Sequence, residues 1–546
     1  VSNPLTIVII CSLYAIYRYY VSKYTYWERQ GVRSAPFGYW PRLYKPWFKV
    51  EQEMYGRYGK CFGVYESTRP VLYLSDPDLI RNVLVKDFHN FTNRRDISTG
   101  LLMDKMLPNL KNENWKRVRT VITPTFTLGK LRKMLPLIGD CLKTLDHNLD
   151  IASKTSSADG YDMKRLFCSY VMEVILQVAF GIKVDALMDA DNPIIINACK
   201  LLSHEFGPML YILMFVPRLA HYLKLSVFDV QVIQFFHELS LKAIDDRRKL
   251  LAKNPDTKRV DLLQLMLDCF DESNVRSSSS SSSDGPEFAT ADSNDDNKDA
   301  EKYREYSSSS GNDNNNNNNQ TDSFKKYLTN DELIASCVVF FVAGFENIIT
   351  VLSNITHLLA SNPDCQQRLY DEVANYFMGE HHQSDESVDD YETLQSLKYL
   401  DGVVKETLRL YPNTIAVERE ANEDYELGGG GPDTTGITIK KGQLIHIQSY
   451  SMHHDSDNYP DPERFRPERF LPENQTHHPY AYLPFGGGPR KCIGFKLAEM
   501  IIKKALVNAV HKFSFHDTGK PLEFHKYQVF GIMTPKDVFV RVEKRQ

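Results

Sequence analysis

The chain has 546 residues, 42% of them hydrophobic and 25% charged, with a formal net charge of −5; this is globular usage, long enough for one large core or two to three average domains. Residues 277–322 hold ten acidic and three basic side chains, net −7, so the rest of the chain carries +2, which gives no footing for nucleic-acid binding. The nine cysteines are widely spaced with no Cys-x-x-Cys pair, which excludes a disulfide framework or a zinc site and suits a reducing compartment.

Residues 5–17 are almost wholly apolar, and Arg18, Lys23, Arg29 and Arg33 follow, with Tyr19, Tyr20, Tyr24, Tyr26 and Trp27 among them. The apolar run is shorter than the roughly 20 residues that span a bilayer. The sequence starts at Val1 rather than Met, so residues 1–22 are expected to be a truncated membrane anchor with its basic flank on the cytosolic side. A cleaved signal peptide is the alternative, but no small-x-small cleavage site follows the run. Residues 23–50, with Pro36, Pro41 and Pro46, read as a stiff connector, and the body runs over 51–546. Within it, residues 60–67 and 70–74 read as a hairpin, and Asp76-Pro77 opens a helix.

From 113 to 134 the pattern is helical and basic. Trp115 and Arg119 are four apart and share a face, where an indole N–H beside a guanidinium makes a grip for a carboxylate. Taken alone, the pair reads more readily as a surface cation–π contact. Helical spacing continues from 161 to 270, with residues 206–217 strongly apolar, as in a core helix. Residues 277–322 break the pattern with runs of serine and asparagine. Such a composition buries too little apolar surface to offset ordering entropy, so a disordered surface insert with no catalytic role is expected.

At Leu328 the periodicity resumes. Thr329 or Asn330 caps a long helix that is apolar nearly all round and therefore buried. Inside it lies Ala343-Gly344-Phe345-Glu346-Asn347. Gly344 costs about 1 kcal/mol against alanine in a helix, which suggests something approaching the backbone closely. Glu346 is an acid among apolar residues and needs a partner or a proton-transfer task. Further on, Glu406 and Arg409 stand three apart on a helix ended by Pro412, flanked by Val403, Val404, Leu408 and Leu410, and are expected to form a buried pair. Strands are expected at 437–439 and 443–448. The run Phe485-Gly-Gly-Gly-Pro-Arg490-Lys491-Cys492-Ile-Gly494 reads as a loop presenting one thiolate, Cys492, to a haem iron. Its glycines let the backbone take positive φ, and Arg490 and Lys491 favour thiolate over thiol. A helix from Phe495 would aim its N-terminal dipole at the sulfur.

These residues resemble the cytochrome P-450 family of haem-thiolate monooxygenases, in the microsomal drug- and lipid-oxidising branch that includes thromboxane synthase. Four motifs stand in the family's order: Trp115-x-x-x-Arg119, Ala343-Gly344-x-Glu346, Glu406-x-x-Arg409 with Pro467-Glu468-Arg469-Phe470, and the loop Phe485-x-x-Gly-x-Arg490-x-Cys492-x-Gly494. The resemblance implies a mainly α fold with a small β part, and haem between the long buried helix and the cysteine loop. It implies haem b (iron protoporphyrin IX) with Cys492 as axial ligand. Trp115, Arg119, Arg419 and Arg490 would serve the propionates, with Ala343, Gly344, Phe485 and Gly494 around the ring. Glu406, Arg409 and Arg469 would form the scaffold. Residues 206–217 would roof the substrate cavity, and residues 97–106, Phe345, Ile415, Phe530 and Ile532 would face it.

The implied reaction inserts one oxygen atom from O2 into a lipophilic substrate: a fatty acid, a sterol or a foreign compound. Electrons would come from NADPH through NADPH–cytochrome reductase, with cytochrome b5 as a second donor. The place would be the endoplasmic reticulum membrane, in contact with membrane lipid, with the catalytic domain in the cytosol. Lys116, Arg117, Lys130, Arg132, Lys133, Lys491 and Lys496 are the candidate basic face for the acidic partner. One departure stands out: Asn347 occupies the position of the family's threonine, and thromboxane synthase, which rearranges a peroxide, also lacks that threonine. Glu346 delivering protons and Asn347 holding water is the monooxygenase expectation. A peroxide isomerase and a non-catalytic haem sensor are the alternatives.

Overall fold

The computed structural model describes residues 4–36, 45–66, 68–95, 102–155, 159–183, 192–202, 222, 229–254, 259, 261–268, 328–378, 391–428, 436–525 and 531–545. The expectations for 97–101, 206–217, 277–322 and Phe530 lie outside these residues. The principal helices are α1 (Pro4–Tyr24), α2 (Trp47–Tyr58), α3 (Asn112–Ile122), α4 (Met163–Phe180), α5 (Val230–Lys253), α6 (Asn330–Ser361), α7 (Lys398–Leu410) and α8 (Phe495–Lys512). The strands are β1 (Cys61–Glu66), β2 (Arg69–Leu74), β3 (Tyr161–Asp162), β4 (Val417–Glu420), β5 (Tyr425–Leu427), β6 (Ile437–Ile439), β7 (Leu444–Ile447), β8 (Phe513–Asp517) and β9 (Phe539–Lys544). Helix dominates and the β part is small, as the sequence implies.

The long helix α6 is the axis. Thr329 caps it: its hydroxyl accepts from the Glu332 amide at 3.3 Å, and the Glu332 carboxylate accepts from the Thr329 amide at 2.9 Å. Being apolar nearly all round, it is packed from several sides. Phe341 stacks on Phe180 of α4 at 4.4 Å and on Phe236 of α5 at 4.9 Å. Among the described residues α6 is the one helix long and apolar enough to cross a membrane, yet 61% of that stretch is buried inside the protein. It is a core helix.

The expected hairpin is present. β1 and β2 pair antiparallel, β2 pairs parallel with β7, and β7 pairs antiparallel with β4, giving the order β1-β2-β7-β4. The register sets Tyr73 of β2 and Glu418 of β4 on either side of His446 of β7. Side chains alternate across a strand, so Arg419 leaves β4 on the opposite face from Glu418. Two smaller sheets, β3-β9-β8 and β5-β6, complete the strands. Trp27 is fully buried against this part of the molecule and donates to the Val64 carbonyl at 3.3 Å.

Candidate active site

The loop before α8 is shaped by its glycines. Gly486 and Gly488 have φ of 71° and 67°, which side-chain-bearing residues rarely adopt. At Gly487 a Cβ would lie 2.9 Å from Leu84 Cδ1 and 3.3 Å from Leu483 Cδ2, so those leucine ends would have to shift. The Cys492 amide donates to the Phe485 carbonyl at 3.0 Å and closes the loop, while the Phe485 ring lies 5.9 Å from that of Phe495 at the start of α8. The Gly494 amide donates to the Cys492 sulfur. Burial nevertheless pushes the thiol up, and that amide with Arg119, Arg94 and Lys491 offsets it only in part. The side chain is also solvent-accessible. Lys491 pulls the thiol down as its charge implies, together with Arg119 and Arg94, but burial outweighs them in the protein alone, and a bound metal ion is what would deprotonate the sulfur.

Four guanidiniums gather beside this loop. Arg490, 3% exposed, donates to the carbonyls of Thr92 at 2.6 Å, Leu110 at 2.6 Å and Pro108 at 3.4 Å, and its carbon lies 4.4 Å from the Trp115 ring centre. Arg119 donates to the Lys491 carbonyl at 2.9 Å, Arg419 to the Gly487 carbonyl at 3.2 Å, and Arg94 to the Arg490 carbonyl at 3.1 Å. Burial, with Arg94, Arg419 and Arg119 nearby, pushes Arg490 down to about 8. Cations held together in this way call for an anion, and the two carboxylates of a porphyrin meet that need. Trp115 and Arg119 do share a face of α3, but the cation under which the indole ring lies is Arg490, in a buried contact, not Arg119 at the surface. Arg94 is absent from the sequence expectation. It sits in irregular chain, where no periodicity marks it; the doubled Arg94-Arg95 is the only cue.

Across from the loop, α6 opens a window. Ala343 is exposed and Val339, Phe340, Gly344, Glu346 and Asn347 are half-buried, although the helix is buried before and after them. Phe126 links the two walls: it lies 3.8 Å from where a Gly494 Cβ would stand, and its ring is 5.6 Å from that of Phe340. At Gly344 the nearest protein atom to an added Cβ is Ile175 Cδ1, at an ordinary 3.4 Å, so no protein group demands glycine there. Phe345 and Ile415 are fully buried in packed clusters, which corrects their placement on the cavity wall.

Glu346 accepts from the Thr534 hydroxyl at 3.2 Å. Burial raises its carboxyl to about 7 against the opposing pull of Lys164 and Thr534. Lys164, itself buried, is held by the carbonyls of Pro535 at 2.7 Å and Lys536 at 3.1 Å. Asn347 turns its amide back one helical turn onto the Ala343 carbonyl at 2.7 Å, and its own carbonyl accepts from Asn413 at 3.2 Å.

The scaffold triad forms as expected. Glu406 and Arg409, both 0% exposed, make a two-pronged pair at 2.8 and 2.9 Å. Arg469 reaches Glu406 at 3.2 Å and donates to the carbonyls of Pro460 and Asp461. The backbone amide of Arg466 completes the carboxylate at 2.9 Å. On the candidate partner face, Arg117 is committed to Glu332 and Arg132 to Glu392. Lys133 is exposed, and Lys116, Lys130, Lys491 and Lys496 are half-buried.

Comparison with known proteins agrees with this geometry. A family model described as Cytochrome P450 matches residues 34–284 and 294–540. Cytochrome P450 3A11 of Mus musculus is 32% identical over 556 residues, covering 99% of this chain and 96% of that protein. Cytochrome P450 3A12 of Canis lupus familiaris is 32% identical over 558 residues, covering 100% and 97%. Cytochrome P450 3A29 of Sus scrofa is 34% identical over 505 residues, covering 91% and 87%.

Proposed function

The chain belongs to the cytochrome P450 family, and from that premise we propose a substrate range and a role for each site residue. It is a haem-thiolate monooxygenase acting on lipophilic substrates. Similarity to cytochrome P450 3A enzymes over nearly the whole chain supports this reading over the peroxide isomerase and the sensor. Bound haem supplies the oxidising chemistry, since a thiolate ligand pushes electron density onto iron and favours O–O cleavage.

The protein's part is divided among named groups. Cys492 would ligate the haem iron, its sulfur held by the Gly494 amide. Arg94, Arg119, Arg419 and Arg490 bind the carboxylates, with Trp115 supporting Arg490. Ala343 and Gly344 present a flat, small-residue wall opposite. Glu346, its carboxyl raised to about 7, exchanges a proton with the window near neutral pH, where the Asn347 side chain orients water. Glu406, Arg409 and Arg469 fix α7 to the chain that leads into the cysteine loop.

The substrates are foreign compounds and lipids of the kind an apolar chamber accepts. The electron donor is NADPH–cytochrome reductase, with cytochrome b5 as a second donor, docking by the lysines around Lys133 and Lys491. The enzyme sits at the endoplasmic reticulum membrane through residues 1–22, against membrane lipid, with the body cytosolic. The observation that supports this reading best is the convergence of four arginines beside the Cys492 loop. Reconstitution with reductase, NADPH and a panel of lipophilic compounds tests it: NADPH and O2 should be consumed together with oxygenated product. Product formed only from an organic peroxide, without NADPH, is the contrary result.

A further inference from the structure

Behind the arginine cluster lies a buried network that the mechanism does not use. Glu51 of α2, Glu66 of β1, Glu418 of β4, Arg95 and His446 of β7 meet there. Arg95 donates to Glu66 at 2.6 and 3.1 Å and to Glu418 at 2.7 and 2.8 Å. The two ring nitrogens of His446 lie 2.9 Å from Glu51 Oε1 and 3.1 Å from Glu418 Oε1. Tyr73 stacks on the ring at 4.3 Å. Glu51 is 1% exposed, Glu66 3% and His446 5%.

A neutral imidazole has one N–H and one lone pair. Between two carboxylate oxygens the lone pair would face an oxygen lone pair, so this arrangement suits an imidazolium donating on both sides. Three carboxylates are then met by two cations; without the His446 proton they are met by one. The groups facing His446 are Glu51 from α2, Glu418 from β4 and Tyr73 from β2, and Arg95 reaches it through Glu418. Burial alone would push His446 down, but Glu51 and Glu418 outweigh it and bring it up to about 9.

The sequence neighbours of this network are the arginines of the site. Arg94 precedes Arg95, and Arg419 follows Glu418 across the strand. Fixing Arg95 and Glu418 on one face fixes where Arg94 and Arg419 emerge on the other. We propose that His446, bridging Glu51 and Glu418, is a positioning residue that holds β4 and the Arg94-Arg95 segment so that Arg94 and Arg419 meet the haem carboxylates. This rests on the assignment of those arginines to the cofactor.

The test follows haem loss from the holoenzyme to an excess of apomyoglobin across pH 6–10. His446 is raised in the fold above its usual 6.5, so its contribution is complete below about 6.5 and is lost as pH rises through about 9. The native enzyme should therefore release haem faster above pH 9. His446→Met should release it about 10- to 100-fold faster at pH 7, with the alkaline step gone. Glu51→Gln should keep the step but move it to lower pH, which a merely space-filling histidine would not do. Arg419→Gln is the control for the underlying assignment. If Arg419→Gln loses haem readily while His446→Met retains it with an unchanged alkaline step, the positioning role is overturned. If Arg419→Gln retains haem like the native enzyme, the assignment itself falls, and the proposal with it.

Discussion

At the scale of single residues, Glu346 decides the proton chemistry. Its carboxyl is raised to about 7 by burial, with Lys164 and Thr534 pulling the other way. A carboxyl raised in the fold stabilises it fully below its usual 4.5 and loses that contribution as pH rises through about 7. Glu346→Gln, which cannot ionise, should therefore remove this loss of stability near pH 7 in thermal melts. It should also cut turnover by about a hundredfold while haem content stays native. NADPH use should then continue without matching product; unchanged coupling would exclude the role. Asn347 differs, because one of its two amide N–H groups is already committed to the Ala343 carbonyl and it offers no hydroxyl. Asn347→Thr should restore a hydroxyl at this position, and tighter coupling of NADPH use to product is the expected gain.

At the scale of elements, the buried triad carries the most mechanical weight. It ties α7 to the turn at Pro467–Phe470, and Gly402 of α7 lets that turn approach: a Cβ there would stand 2.7 Å from the Pro467 carbonyl. Removing one member of a fully buried pair typically costs about 3–5 kcal/mol. Arg409→Lys should show most of that loss in urea denaturation, because an ammonium cannot reproduce the two-pronged bond. Sequence spacing was enough to find this pair, since i, i+3 on an apolar helix face is a local signal. The capping of α6 by Thr329, the hairpin and the cysteine loop were legible for the same reason. Arg94 and the His446 network were not. His446 meets Glu51 across 395 residues and Glu418 through strand register, and neither leaves a local pattern. The charge beside the thiol was legible in the motif, whereas the burial that opposes it is set by the fold.

At the scale of the whole molecule, one α-rich body surrounds α6, and the site collects residues from both ends of the chain. The insert at 277–322 has the composition of a segment without a core of its own. Replacing it with a short Gly/Ser linker should leave the thermal midpoint within about 2 °C, since surface changes of this kind usually stay within ~0.5 kcal/mol. Haem content and turnover should likewise be native, and a large fall in either would show that the insert helps to build the body.

The parallel pairing of β2 with β7 also sets an order of events in time. Val71–Leu74 finds its partner only at Leu444–Ile447, and Arg94 finds Arg490 later still. At about 5–20 residues per second of synthesis, the N-terminal hairpin waits on the order of tens of seconds with one edge open. A bare strand edge of that kind invites pairing with other chains. The nascent chain therefore gains from an escort during that interval, and haem can be captured only when translation is nearly finished.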